Sequence, residues 1–341
     1  MAGKSKPTAD RRRLLTAEKI YVAVGGLSWK PMQLAVIILN WNAAADTIEC
    51  VRRFSGWSRV QPTIWVVDNA SGDGSAEAIA RECPQVRLLR NSANLGYAGG
   101  NNRAIVEVLS AGDAPLLLLN NDAHVAEADV MAMLDTLAAR PEVGVVGPLM
   151  FDGDRPDKLL AAGGQNIVWH LASHLAGPPA GEPVYPVDYI PGTVMLVRAE
   201  AFRRVGLLDE AYFFTGETPD FCYRAKLQGY LSVVETRARA SHTVSRSSKL
   251  RRTLYVYYIV RNRFLFLRKH YRRHFWLFGF WTLYSLALTV KLQLGGQASA
   301  AKATWLGLAD GWQGRFGGQN ERVLAACSGQ PAPVLQAGQS G

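Results

Sequence analysis

Three polar residues, Asn120, Asn121 and Asp122, close the apolar run APLLLLNND at residues 114–122, and Asp122 offers a hard carboxylate oxygen to a divalent cation. A second acidic pair stands in FTGETPDFCYRAKLQGY, residues 214–230. There Pro219 marks the first turn of a helix, Asp220 falls near its amino end, and Glu217 is expected in the loop just ahead. A carboxylate so placed is suited to take a proton from an attacking hydroxyl. His242, in SHTVSRSSKLRR, could be a second metal ligand. Residues 91–102, NSANLGYAGGNN, join glycines to side-chain amides, and such a loop brings backbone donors close to a phosphate or sugar. Each feature has a plain structural alternative: a polar turn, a capping cluster, a structural histidine, a connecting loop.

The elements that must hold these residues follow from periodicity. Apolar runs at 34–39, 64–67 and 116–119 and a short strand at 86–89 alternate with helical spacing at 46–54, 76–81 and 103–109. That alternation predicts a doubly wound, mostly parallel sheet with covering helices, whose strands repeatedly end in Asn or Asp. Ligands of such sheets bind beyond the carboxyl ends of the strands. Further strands are predicted at 143–150, 189–198 and 231–234 and a helix at 199–205, while the Gly- and Pro-rich segment 152–188 reads as a binding loop or lid. Gly72-Asp73-Gly74 lacks the third glycine of a dinucleotide fingerprint, and no Walker loop occurs.

Composition bounds the function. The chain has 341 residues, 48% hydrophobic and 19% charged, which fits a globular protein rather than a disordered or polytopic one. Its net charge of +10 favours anionic partners: nucleic acid, acidic headgroups or phosphorylated small molecules. No nucleic-acid module is present. Cys50, Cys83, Cys222 and Cys327 lack metal-type spacing and fit a reducing cytosol. The basic start of the chain has no apolar core of a secretory signal. Residues 253–270 are aromatic and basic at helical spacing. The sixteen apolar residues 275–290 fall short of the ~20 that span a bilayer. With Arg268, Lys269, Arg272, Arg273 and Lys291 beside them, they predict helices lying in an anionic membrane interface; a core helix or an oligomer contact is the alternative.

Taken in order, LAVIILNWN, VVDNASGDGS, NSANLGYAGGNN, LLLLNND, YIPGTVMLV, GETPDFCYR and YYIVRNRFLF resemble the inverting nucleotide-sugar glycosyltransferases of glycosyltransferase family 2, the rhamnosyltransferase-like branch in particular. The resemblance implies an α/β domain of the GT-A nucleotide-diphospho-sugar transferase fold over residues 33–250. A basic tail would precede it at 1–32, with C-terminal helices at 251–318 and a flexible tail at 319–341 following. It implies Mg²⁺ or Mn²⁺, a dTDP- or UDP-sugar donor, a lipid-linked glycan acceptor in cell-surface polysaccharide synthesis, and a cytoplasmic enzyme peripheral to the inner face of the membrane. Asn40, Asn42 and Asp68 would line the nucleoside pocket, and Asn94 and Asn101 would lie near the ribose and diphosphate. Asn120 and Asp122 would stand for the Asp-any-Asp metal motif, with Asn120 a departure, and His242 would help hold metal or diphosphate. Glu217 matches the first acid of the Glu-Asp pair; the second is Thr218 here, which makes Asp220 the reserve base. A catalytically inert sugar-nucleotide-binding or scaffold subunit is the alternative function.

Overall fold

The computed structural model describes residues 31–243 and 249–328. Strand β1 (Met32–Asn40) shows why the sheet is buried on both sides. Leu34, Val36 and Ile38 join one core cluster while Ala35 and Ile37 join the other, as a period of two requires. β2 (Val60–Asp68), β3 (Arg87–Arg90) and β4 (Leu116–Asn120) complete a parallel block, in which β1 pairs with β2 and β4 and β2 pairs with β3. Helices α1 (Ala44–Arg52), α2 (Ser75–Glu82) and α3 (Gly96–Ala111) return the chain between these strands.

β5 (Ala123–Val125), α4 (Glu127–Ala139), β6 (Val143–Asp152), β7 (Leu159–Ala161), β8 (Val184–Val187), β9 (Val194–Val197), α5 (Ala199–Val205), α6 (Glu217–Leu227) and β10 (Leu231–His242) build the second half. The path across the sheet is β3-β2-β1-β4-β9-β6-β10-β5, with β7 on β6 and β8 on β10. β9 runs antiparallel to β4 and to β6, so the parallel block is followed by mixed pairing. The segment 152–188 contributes both β7 and β8 to the sheet and is anchored there, not free as a lid.

Three expected boundaries move. The strand predicted to stop at Val234 runs to His242. Its second half alternates buried Ala238 and Ala240 with exposed Arg237 and Arg239, the signature of a half-solvated strand, after a register shift between Glu235 and Arg239. α3 begins at Gly96, so Asn101 stands on a helix and not in the glycine-rich loop. α6 begins at Glu217 rather than at Pro219: Gly216 (φ 91°) turns the chain into the helix, and Pro219 still fits because the first turn needs no donor from it.

Four C-terminal helices pack on this domain: α7 (Lys249–His270), α8 (Phe275–Leu294), α9 (Ala298–Gln313) and α10 (Asn320–Ser328). α10 carries helical structure into the segment read as a flexible tail. α8 is longer than its sixteen-residue apolar run, because the helix continues through Lys291 to reach 20 residues, long and apolar enough to cross a membrane by length and composition. Only Leu277, Trp281 and Ser285, one stripe at i, i+4 and i+8, are buried. Trp281 anchors that stripe by donating to Val168 O (3.1 Å) and lying under Arg263 (3.7 Å).

Candidate active site

Register gathers the polar strand ends at one edge. Asn40 sits opposite Asp68 on β2, and Leu39 sits opposite Asn120 on β4. Asn40 is fully buried, and its side chain is spent within the protein. It donates to Asp68 Oδ1 (2.8 Å) and Ser71 Oγ (3.1 Å) and accepts from Thr47 Oγ1 (2.8 Å). Thr47 in turn accepts from Asn121 Nδ2 at 3.0 Å, so one hydrogen-bonded chain crosses from β2 through β1 and α1 to the end of β4. Asp68 also receives the Ser71 N–H at 3.0 Å, and Asn42 receives the Gly72 N–H at 2.9 Å, which shapes the loop after β2. Asn42 is exposed, and Trp41 beside it is 47% exposed at the same rim.

Asn69, which the sequence reading passed over, is the hub of the next loop. Its amide donates to Asn94 Oδ1 (2.9 Å) and Gly96 O (3.1 Å), and its carbonyl accepts from Asn91 Nδ2 (3.0 Å) and the Leu95 N–H (3.1 Å). Asn94 also caps the turn by accepting from the Gly96 N–H at 2.9 Å, while Asn101, buried, bonds Tyr97 O within its own helix at 2.9 Å. Asn94 and Asn101 thus hold the loop in shape. Gly96 has φ 70°, and a Cβ there would meet Phe213 O at 2.2 Å, so only glycine lets α3 start against the turn at 213.

Four non-glycine residues with left-handed φ are found among the described residues: Asn42, Ala70, Phe213 and Thr215. All lie in the loops of this edge or in the turn leading to Glu217. Such conformations cost roughly 1–3 kcal/mol each and persist where the surroundings over-determine them. At 213–215 the surroundings are α7. Asn262 Nδ2 reaches the carbonyls of Tyr212 (2.9 Å), Phe214 (2.9 Å) and Thr215 (2.6 Å), and buried Arg261 donates to Tyr212 O (2.8 Å) and to Gly317 O.

The two acids of α6 separate in role. Glu217 is 6% exposed, and its Oε2 accepts no hydrogen bond among the described residues. Burial pushes its carboxyl up to about 7; its own backbone N–H opposes the shift and the charge of Asp220 reinforces it. Asp220 is fully buried and held by Arg224 Nε (2.8 Å), His270 Nε2 (2.8 Å), Tyr212 OH (3.2 Å) and Lys269. Burial raises its carboxyl, but the His270 hydrogen bond and the Arg224 and Lys269 charges outweigh that and hold it well below the usual carboxylate range. Beside Glu217, Thr218 Cγ2 and Tyr97 OH wall Gly192, where a Cβ would meet them at 3.1 and 2.6 Å. Tyr97 OH donates to Gly192 O at 2.6 Å, and the adjacent Thr193 O accepts the Asn120 N–H at 2.9 Å. The end of β4 and the start of α6 therefore flank one short backbone segment.

β10 delivers His242 opposite Ala123 of β5, which sets His242 Nε2 3.1 Å from Asp122 Oδ1. Both side chains are largely buried, and His242 Nε2 makes no hydrogen bond among the described residues. A carboxylate oxygen and an imidazole nitrogen converging at this distance fit a divalent cation. No third His, Cys, Asp or Glu completes a cluster among the described residues.

The mixed sheet with its covering helices is the GT-A fold. The chain superposes on a mannosyltransferase from Pyrobaculum calidifontis in complex with GDP-Man and Mn²⁺ with a TM-score of 0.55 at 14% identity, covering 84% of this chain and 88% of that one. Residues 31–262 match the family described as glycosyltransferase like family 2, and the chain belongs to it. It is 32% identical over 210 residues to the N-acetylglucosaminyl-diphospho-decaprenol L-rhamnosyltransferase of Mycobacterium tuberculosis, over 54% of this chain and 68% of that protein. It is 25% identical over 238 residues to a low-salt glycan biosynthesis hexosyltransferase of Haloferax volcanii, over 68% of this chain and 74% of that protein.

Proposed function

We propose that this protein is an inverting glycosyltransferase that moves a sugar, rhamnose or another hexose, from a dTDP- or UDP-linked donor to a hydroxyl of a lipid-linked glycan acceptor. The observation that carries this reading is Glu217: buried, with one oxygen unclaimed, its carboxyl at about 7, at the head of α6. A base poised near the working pH takes a proton most effectively in the transition state. The acceptor hydroxyl loses its proton to Glu217 as its oxygen attacks the anomeric carbon, and the bond to the donor diphosphate breaks on the opposite face. A single displacement inverts the carbon and needs no second carboxylate. Asp220, committed to its cationic partners, would position α6.

Asp122 and His242 would hold Mg²⁺ or Mn²⁺, which supplies charge neutralisation to the departing diphosphate when bound. The loops ordered by Asn40, Asp68, Asn69 and Asn94 would seat the nucleoside, with Asn42 and the exposed face of Trp41 at their rim and Asn101 and Asn120 behind the diphosphate. Support for this placement comes from the shared strand-end edge and the strained rim residues. Membrane association is supported by α8, whose apolar surface is mostly exposed.

The test is to incubate the purified protein with dTDP-rhamnose and UDP-hexoses, Mn²⁺ and a lipid-linked acceptor, with and without chelator. Metal-dependent transfer with an inverted anomeric centre is expected. Donor binding without hydrolysis or transfer would replace this reading with the inert sugar-nucleotide-binding subunit.

A further inference from the structure

An open groove of about 910 Å³ lies where the carboxyl end of α7 meets α8 and the end of α9. That volume is within the roughly 300–1,000 Å³ typical of small-molecule sites. Its walls include Arg268, Arg272, Phe275, Gly279, Leu283 and Trp312. Phe275, Gly279 and Leu283 succeed one another every four residues along one face of α8, a bed ~12 Å long. No atom comes within 4 Å of where a Cβ on Gly279 would stand, so the middle of the bed is open, while Phe275 and Leu283 are 79% and 69% exposed on either side. The opposite wall is fixed: Trp312 Nε1 donates to Thr282 Oγ1 (2.9 Å), and Arg268 is committed to Gly311 O (3.2 Å) and Trp312 O (2.6 Å).

The charge of the groove comes from the α7 side, with Arg268 in its wall and Arg272 just past the helix end. Arg272 is exposed, and no ion pair engages it among the described residues. Two and three residues earlier on the same helix end, His270 and Lys269 grip Asp220, one helical turn after Glu217. An apolar trough with a cationic mouth matches one chemistry: a hydrocarbon chain that ends in a strongly charged phosphate.

We propose that this groove binds a single lipid diphosphate, its chain along Phe275, Gly279 and Leu283 and its diphosphate at Arg272. The site would seat the lipid portion of the acceptor, so the assignment rests on the lipid-linked acceptor named above. It fixes where that acceptor approaches α6.

The full-length protein is titrated with farnesyl diphosphate, with farnesol and with inorganic pyrophosphate, all in the presence of a saturating nucleoside diphosphate that occupies the donor site. Binding is followed by intrinsic tryptophan fluorescence. Farnesyl diphosphate should bind more tightly than either fragment. Gly279→Trp, which fills the trough where space is free, and Arg272→Glu should each weaken it by about tenfold or more at unchanged melting temperature, since tenfold corresponds to the loss of a single good contact. Gly279→Leu should give an intermediate loss. The proposal is overturned if the wild type does not bind farnesyl diphosphate, if pyrophosphate or farnesol alone binds as tightly, or if the variants bind it as the wild type does. Stabilisation by nucleoside diphosphate and Mn²⁺, measured in parallel, reports on the transferase reading separately, because neither Arg272 nor Gly279 touches that site.

Discussion

His270 Nε2 lies 2.8 Å from Asp220 Oδ1, so the helix headed by the candidate base is fastened to the far end of α7. Arg224, Lys269 and Tyr212 complete the shell around that carboxylate, three donors meeting Oδ1 and Arg224 meeting Oδ2.

Asp220→Asn should therefore act on stability. Removing one partner from a buried ionic cluster costs about 3–5 kcal/mol, and the lower end applies here because Arg224 and Lys269 keep some solvent contact. The wild-type carboxyl is held below its ordinary range. Its contribution is thus complete above that range and fades as the pH falls through the depressed folded value. Melting curves from pH 7 down to pH 2 should show the variant less stable at pH 7 and the two proteins converging in acid. An unchanged melting temperature with lost turnover would instead make Asp220 the base.

Glu217→Gln should lower the chemical step by ~10²–10⁴ with donor affinity nearly unchanged. Single-turnover rates and equilibrium titration of the donor separate the two. Because the folded carboxyl rises to about 7, wild-type transfer should fall as the pH drops below that value. The sign for stability is the reverse of that for Asp220. A raised carboxyl favours the fold below its unfolded value of 4.5 and loses that contribution as the pH rises through about 7. The Gln variant should accordingly melt above the wild type at pH 8 and with it at pH 4.

The parallel half of the sheet was legible because LAVIIL and LLLL are apolar without interruption and stop abruptly at Asn or Asp, which fixes both the strands and the edge where ligands meet them. What the sequence concealed was long-range. His242 follows seven residues of mixed polarity, and the alternation of Ala238 and Ala240 with charged neighbours was the available signal that β10 continues. The start of α6 was misplaced because Pro219 is an obvious marker, whereas the turn that starts the helix is imposed by Asn262, 46 residues past Gly216, through carbonyls at 212–215. Asn69 was indistinguishable from the amides around it until the backbone brought Asn91, Asn94 and Gly96 to its side chain.

Asp122→Asn and His242→Gln should each remove metal-dependent transfer while leaving the melting temperature near that of the wild type, since both side chains sit at strand ends and not in either core cluster. A second readout is the Mn²⁺-induced tightening of nucleoside diphosphate binding, by calorimetry. Both variants should show the metal-free affinity at every Mn²⁺ concentration. Normal tightening in either would remove that residue from the metal site.

Two variants of α8 should separate surface from core. Phe280→Glu together with Leu294→Glu, at positions 46% and 84% exposed, should weaken sedimentation with anionic vesicles and leave the fold intact. Trp281→Ala, on the buried stripe between Val168 and Arg263, should cost about 3–5 kcal/mol in stability. Residual vesicle binding should decline with salt, as expected for the cationic residues around it. Unimpaired sedimentation of the double variant would show that this face does not touch lipid.

The grip of α7 on the turn before Glu217 also sets a schedule. Arg261 closes that turn by bonding Gly317 as well as Tyr212, and Gly317 leaves the ribosome 100 residues after Glu217. At synthesis rates of about 5–20 residues per second, roughly 5–20 s separate the appearance of Glu217 from that of its last brace. For that interval the nascent chain carries the acid without its final setting. The catalytic domain is complete in sequence before the turn that heads α6 is, and the setting of Glu217 waits on helices made long after it.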